Sequence, residues 1–315
     1  MADNLSTSSS KDFRHFVWKF LLLMILLIGV DWTLGTTLEH LFFTQKSGED
    51  SQTLHLISDS KDEIIIWGDS RALHHYDPRV IERVTASSCY NAGRSAQSIL
   101  FHNAIQKVFF KRHKPRLIVY EINPQMFIKD PSTYDKLSDL LPYYGKYSEI
   151  KETVEKKSSN EPLKLFSKIY PYNSDILSLV KNSLLNAHPE RKGYMPKIGS
   201  RMLAKDLDEK PLELEYEIDS QLVQAMAEFV SRAKKENVDI VFVVSPIYQP
   251  KFELAALEKT LEIIREYKIP IWNYVDDARF STDMSMFYDE SHLNDRAAKK
   301  FSAIVADRIV EYLDK

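Results

Sequence analysis

The sequence predicts an α/β domain built on a parallel sheet, preceded by one N-terminal membrane-spanning helix. Three observations predict it. Short β-rich apolar runs alternate with helical stretches at both ends of the chain, the rhythm of βαβ crossovers whose helices cover both sheet faces. The residues best suited to chemistry fall just beyond the ends of those runs. One N-terminal stretch is apolar all round and reaches the roughly 20 residues that cross a hydrocarbon core.

That stretch is residues 16 to 35, "FVWKFLLLMILLIGVDWTLG". Lys19 must snorkel to one interface, and Asp31 either marks the opposite one or makes a polar contact with a partner, the former being favoured. Lys11, Arg14 and Lys19 lie on its N-terminal side. The positive-inside rule then puts the N-terminus in the cytoplasm and the rest outside the cytoplasmic membrane, in a periplasmic or extracellular setting. A cleaved signal peptide is the competing reading, but "DWTLGTTLEH" offers no A-x-A-like site. The expected organisation is a disordered cytoplasmic tail over 1–12, an anchor and juxtamembrane segment over 13–43, a polar linker over 44–62 and a folded domain over 63–315.

At 315 residues the chain has ample length for a buried core. A net charge of −3 gives no reason to expect nucleic-acid binding. The single cysteine, Cys89, excludes an intramolecular disulfide and a multi-cysteine metal site, and reads as a core residue.

The elements follow in order. Glu63 to Trp67 reads as a buried strand, and Asp77-Pro78 as a helix start with Asp as cap and Pro at the first position. Ser88 to Asn91 is a second short strand, Ser95 to Lys111 a helix, and Arg116 to Ile122 a third strand. Asp219 to Asn237 reads as an amphipathic helix, 239–244 as a strand, Phe252 to Tyr267 as a helix and 269–275 as a fifth strand. Asn294 to Leu313 is a long final helix. Residues 128 to 216 break the rhythm and read as an insertion, with short helical patches at Leu163–Ile169 and Ile176–Leu185. Insertions of this kind shape clefts at the C-terminal strand ends, where ligands sit in such sheets.

A serine nucleophile needs a base, a group that orients the base, and donors for an oxyanion. Four segments at predicted strand ends offer them. The first strand leads into Gly68-Asp69-Ser70, the second into "YNAGRS" with Gly93, and the third into "YEINP" with Asn123. Beyond the fifth strand lies "YDESHLND". An Asp three residues before a His can turn its carboxylate onto the imidazole Nδ1–H, leaving the other ring nitrogen as a base. Alone, Ser70 would be an ordinary turn serine; the other three segments make it a candidate nucleophile. Asp69 reads as a partner of nearby backbone N–H groups, and His74 and His75 as surface or cleft-lining residues rather than metal ligands. Arg71 and Arg94 are candidates to bind a carboxylate or phosphate on a substrate, a solvated charge being the plainer alternative.

These blocks, Gly68-Asp69-Ser70, Gly93, Asn123 and Asp289-x-x-His292, resemble those of the SGNH/GDSL hydrolase superfamily over roughly residues 63 to 127 and 218 to 315. The resemblance implies a three-layer α/β/α sandwich with a five-stranded, mostly parallel sheet. It implies Ser70 as nucleophile, His292 as general base and Asp289 as its orienting partner. The oxyanion hole would be the Ser70 and Gly93 N–H groups and the Asn123 amide. Two departures touch substrate choice: Arg71 stands where the family pattern has Leu, and Glu121-Ile122-Asn123-Pro124 replaces Gly-x-Asn-Asp.

Anchor and domain together resemble membrane-anchored SGNH-like proteins that work beside membrane-bound O-acyltransferases on envelope polysaccharides. The expected function is a serine esterase or O-acyltransferase acting on an acylated envelope or exported polysaccharide, with no metal or organic cofactor. The alternative is a catalytically weak scaffold or polysaccharide-binding partner of a membrane O-acyltransferase. A lipid-directed lipase is a third, weaker reading.

Overall fold

The computed structural model describes residues 5–184, 191–201, 217–248 and 254–314. Helix α1 (Leu5–Thr44) runs 40 residues without a break, about 60 Å at 1.5 Å per residue. It is long and apolar enough to cross a membrane. The tail expected to be disordered over 1–12 is helical from Leu5 onward, and residues 1 to 4 lie outside the described residues. The linker expected over 44–62 is also corrected. Helix α2 (Gly48–Ser58) occupies most of it and buries Leu54, Leu56 and Ile57. Three apolar residues in a polar stretch carry little periodic signal; the core they meet decides their structure.

Five strands form one parallel sheet: β1 (Ile64–Trp67), β2 (Cys89–Asn91), β3 (Leu117–Glu121), β4 (Asp239–Val244) and β5 (Ile271–Asn273). Their spatial order is β2-β1-β3-β4-β5. β1 pairs with β2 on one side and β3 on the other, with Ile66 opposite both Asn91 and Val119. The central strands are buried on both faces, so they read as continuous apolar runs. Alternation assigns the faces. Ile64, Ile66, Val119 and Val243 face one core with helices α3 (Ser70–His75), α4 (Pro78–Thr85) and α12 (Asp295–Leu313). Ile65, Trp67, Tyr120 and Phe242 face the other, with α5 (Ile99–Phe109), α10 (Ser220–Lys235) and α11 (Leu254–Arg265). Each fully buried Ile or Phe contributes about 1.5–3 kcal/mol.

Local chemistry sets the helix starts. Asp77 caps α4 by accepting the Arg79 N–H at 3.1 Å, with Pro78 at the first position. Asn294 caps α12 by accepting the Ala297 N–H at 3.1 Å. α5 begins later than the spacing predicts, at Ile99, because Ala96 takes φ 55° and Ser98 supplies the cap.

The insertion springs from an antiparallel bridge, Ile128 to Ile218, that pins its two ends together. Its described part contains α6 (Pro131–Asp135), a 3₁₀ turn at Lys136–Tyr143, α7 (Ser148–Glu155), α8 (Glu161–Lys164) and α9 (Ile176–Leu184). Residues 185–190 and 202–216 of the predicted insertion lie outside the described residues. Leu137, Leu140, Tyr143, Ile150 and Val154 join the α5 side of the core, so this segment extends the domain body. The chain leaves β1 towards β2 and returns to β3 on the other side. This reversal opens a crevice at the C-terminal ends of β1 and β3.

Candidate active site

Ser70 stands at that crevice, on the first turn of α3. The turn from β1 needs Gly68, whose φ is 145° and whose added Cβ would meet Ala72 and Glu121 Cβ atoms at 2.9 Å. Asp69 then caps α3: its Oδ1 accepts the Arg71 N–H at 2.9 Å. Its Oδ2 accepts from Asn123 Nδ2 at 2.5 Å, tying the ends of β1 and β3 together.

The Ser70 hydroxyl donates to His292 Nε2 at 2.7 Å. On the other side of the ring, His292 Nδ1–H donates to Asp289 Oδ1 at 2.7 Å. That oxygen also accepts the backbone N–H of His292 at 2.9 Å and of Ser291 at 3.1 Å. A bridge between Phe287 and Leu293, with Tyr288 N–H donating to His292 O at 2.8 Å, closes the loop that presents both side chains. Burial alone would raise the Asp289 carboxyl. The bond and charge of His292, with the two backbone N–H groups, hold it below the ordinary carboxylate range.

Donors for an oxyanion are arranged differently from expectation. The Ser70 N–H is one of the first N–H groups of α3, which have no intrahelical acceptor. Asn123 uses one amide hydrogen on Asp69 and keeps a second. Gly93 is corrected: its N–H donates to Asn91 Oδ1 at 2.9 Å rather than standing free. A Cβ on Gly93 would lie 2.3 Å from Leu73 N, so this glycine lets the β2 loop press against α3. Asn91 completes the clamp, donating from Nδ2 to Ala72 O at 2.7 Å and Tyr76 O at 2.9 Å. Sequence reasoning passed over Asn91, though it stands beside the glycine singled out.

Both arginines proposed to face a substrate point elsewhere. Arg71 is buried, pairs with Glu121 Oε1 at 3.0 Å and donates to Ser245 O at 2.5 Å. Glu121 also accepts the Ser245 N–H at 3.1 Å, the Ser245 hydroxyl at 2.6 Å and the Tyr76 hydroxyl. Burial pushes the Glu121 carboxyl above its ordinary range, and Arg71 with these donors offsets part of that rise. Arg94 is buried too. It bonds Asp50 at 2.7 Å and Asp139 at 2.9 Å, joining α2 to the insertion, and its guanidinium lies over Phe101. A guanidinium this far from water is held by internal carboxylates, since an unpaired buried charge is too costly.

His75 and His74 are also inside the protein rather than on its surface. Leu293 N–H donates to His75 Nε2 at 3.0 Å, so that nitrogen is unprotonated and the Nδ1–H donates to Ser245 Oγ at 2.7 Å. Burial lowers His75 well below its usual range, in keeping with a neutral ring. His74 donates to Met195 O at 2.6 Å and meets the His292 ring edge-on at 5.3 Å. Burial lowers it to about 4. Two uncharged imidazoles thus flank His292, and neither repels a proton placed on it.

Beside Asp69 and Asn123 opens a cleft of about 550 Å³. Gln97, Ser98, Gln125, Ser132 and Thr133 supply amides and hydroxyls to its walls, and Met126 supplies an apolar patch. Among the described residues, no three His, Cys, Asp or Glu side chains group as a metal site requires.

Solved structures of related fold stand beside this geometry. The chain is similar to GDSL hydrolases. One is a protein described as a lipolytic member of the G-D-S-L family from Desulfitobacterium hafniense DCB-2, at 11% identity over 78% of this chain and 99% of that one, TM-score 0.38. Another is an acetylxylan esterase from Geobacillus stearothermophilus, solved as a catalytic mutant, at 10% identity over 80% and 94%, TM-score 0.38. A third is a family two carbohydrate esterase from Clostridium thermocellum in complex with cellohexaose, at 8% identity and TM-score 0.41; 80% of this chain spans 64% of that one. No family model matches the chain, and the comparison with curated proteins returned no match. At these identities and TM-scores the likeness carries no argument about the site, and the role of Ser70 rests on its own contacts.

Proposed function

We propose that the protein is a membrane-anchored serine esterase that takes O-acyl groups from a carbohydrate. The observation that carries this reading is the chain of contacts Ser70–His292–Asp289, each 2.7 Å long, next in sequence to Asp69, which lines the cleft. His292 Nε2 accepts the Ser70 proton as Oγ bonds to the ester carbonyl carbon. The negative charge that develops on the carbonyl oxygen is met by the Ser70 N–H and the free hydrogen of the Asn123 amide. The ester C–O bond breaks, and His292 returns the proton to the departing alcohol. Water, activated by the same imidazole, then releases the acyl group and frees Ser70. A sugar hydroxyl seated in place of water would receive the acyl group instead, giving O-acyl transfer through the same intermediate.

Three features support the substrate class and setting. The cleft walls carry amides and hydroxyls suited to a polyhydroxylated ligand. Residues 16–35 supply an anchor, and Lys11, Arg14 and Lys19 favour a cytoplasmic N-terminus. The domain would then face the cell envelope, where acylated polysaccharides are found and a membrane-bound O-acyltransferase would be a fitting partner. The test is turnover of a small acetyl ester and of an acetylated oligosaccharide by the full chain and by Ser70→Ala. Loss of both activities in the variant supports the reading. Equal turnover by the two proteins contradicts it.

A further inference from the structure

The level at which the domain grips α1 has a consequence for the membrane. Side chains from Phe20 to Val30 are exposed, and from Lys11 onward the first buried residue of α1 is Gly35. The grip begins at Asp31. Its carboxylate accepts the Ser167 hydroxyl at 2.5 Å and the Lys168 N–H at 2.8 Å. One turn on, a Cβ at Gly35 would lie 2.3 Å from Lys168 Cβ, so the glycine lets the segment Ser167–Ile169 lie flat on the helix. A span that starts at Phe16 and needs about 20 residues to cross the hydrocarbon ends at Gly35. Hydrocarbon therefore ends in the same helical turns where the domain begins, with no spacer between them.

The chain just before that contact is apolar and outward-facing. Phe166 is 83% exposed and Leu163 is 67% exposed. Phe166 N–H donates to Leu163 O at 3.2 Å, so the two belong to one turn. Lys164 and Lys168 are exposed beside them. Exposed aromatic and aliphatic side chains next to lysines suit the boundary between acyl chains and headgroup phosphates. Trp32 and Leu34 of α1, at the same level, are exposed too.

Resting on the membrane-anchor reading above, we infer that the turn Leu163–Phe166 inserts into the headgroup boundary of the bilayer that α1 crosses. Lys168 faces lipid phosphates, while Lys164 is paired with Glu161 at 2.8 Å. The domain is then held against the membrane at two points, α1 and this turn, which fixes the direction of its cleft.

The experiment uses the full chain in phosphatidylcholine–phosphatidylglycerol vesicles, in a Cys89→Ala background. Phe166→Cys and, separately, Leu26→Cys carry an environment-sensitive NBD dye, and retained ester turnover reports that each protein is folded. Nitroxide lipids labelled near the headgroup should quench the dye at 166, and lipids labelled deep in the chain should quench it at 26. Quenching at 26 without quenching at 166 overturns the docked turn and leaves the anchor standing. Shielding of 166 from aqueous iodide without quenching by lipid means that protein covers it, which also overturns the inference. Absence of lipid quenching at both sites overturns the anchor reading and the docked turn with it.

Discussion

His75 Nε2 accepts the backbone N–H of Leu293, the residue that follows His292, across 3.0 Å of buried space. Through its other nitrogen, His75 reaches Ser245 at the end of β4. The loop that carries Asp289 and His292 is therefore fastened to the sheet through a ring outside the proposed triad. His75→Leu removes both bonds and strands the Leu293 N–H. Stability should fall by about 1–3 kcal/mol, measured by urea unfolding. With a soluble ester, kcat should fall while KM changes little, because the cleft walls are untouched. An unchanged kcat would show that the loop holds its place without His75.

Arg71 offers a second test, because its buried guanidinium is paired with Glu121 at 3.0 Å. Arg71→Leu leaves Glu121 buried without its cation, and breaking such a pair costs about 3–5 kcal/mol. Adding Glu121→Gln removes the stranded charge and should restore much of the loss. A double-mutant cycle read by unfolding measures the coupling. Additive single and double losses would mean that the two side chains do not act as a pair.

Gly93 should tolerate no side chain. Its Cβ would press on the backbone of Ala72 and Leu73, in the helix that carries Ser70. Overpacking against backbone costs about 1–3 kcal/mol or more. Gly93→Ala should lower the melting temperature and slow turnover together. A variant with full activity and unchanged melting would show that α3 can move aside at no cost.

Stability should fall with acidification. Burial lowers His74, His75 and His102, His74 to about 4 and His102 to about 3, from an ordinary value of 6.5. Between these limits the unfolded chain binds protons that the folded chain excludes. Each such histidine therefore removes about 1.4 kcal/mol per pH unit as pH falls through the window. His102, in the core against the Tyr120 hydroxyl, lies apart from the triad. His102→Gln should flatten the slope by one histidine's share in urea titrations run near neutral and mildly acidic pH. A slope equal to that of the native chain would contradict a neutral, buried His102.

The sheet and the positions of Ser70, Asn123, Asp289 and His292 could be read from the sequence because each lies within a few residues of a strand end or helix start. Local apolar runs fix those places. The partners of Arg71, Arg94 and His75 could not be read in the same way. Glu121, Ser245, Asp50 and Leu293 meet them only when distant segments pack, and no local period records such pairings. Burial also reverses the expected role of an arginine: in the crevice it would hold a substrate anion, but in the core it holds Glu121. Residues 44–62 misled for a related reason, since the helix there is stabilised by the core beneath it more than by its own pattern.

The most direct measurement is covalent trapping of the nucleophile. The full chain is treated with a fluorophosphonate, digested, and the adduct located by mass spectrometry. A single adduct on Ser70 is expected, lost in Ser70→Ala and slowed in His292→Ala. An unlabelled Ser70 in folded protein, or an adduct on another residue that persists in Ser70→Ala, would contradict Ser70 as the nucleophile.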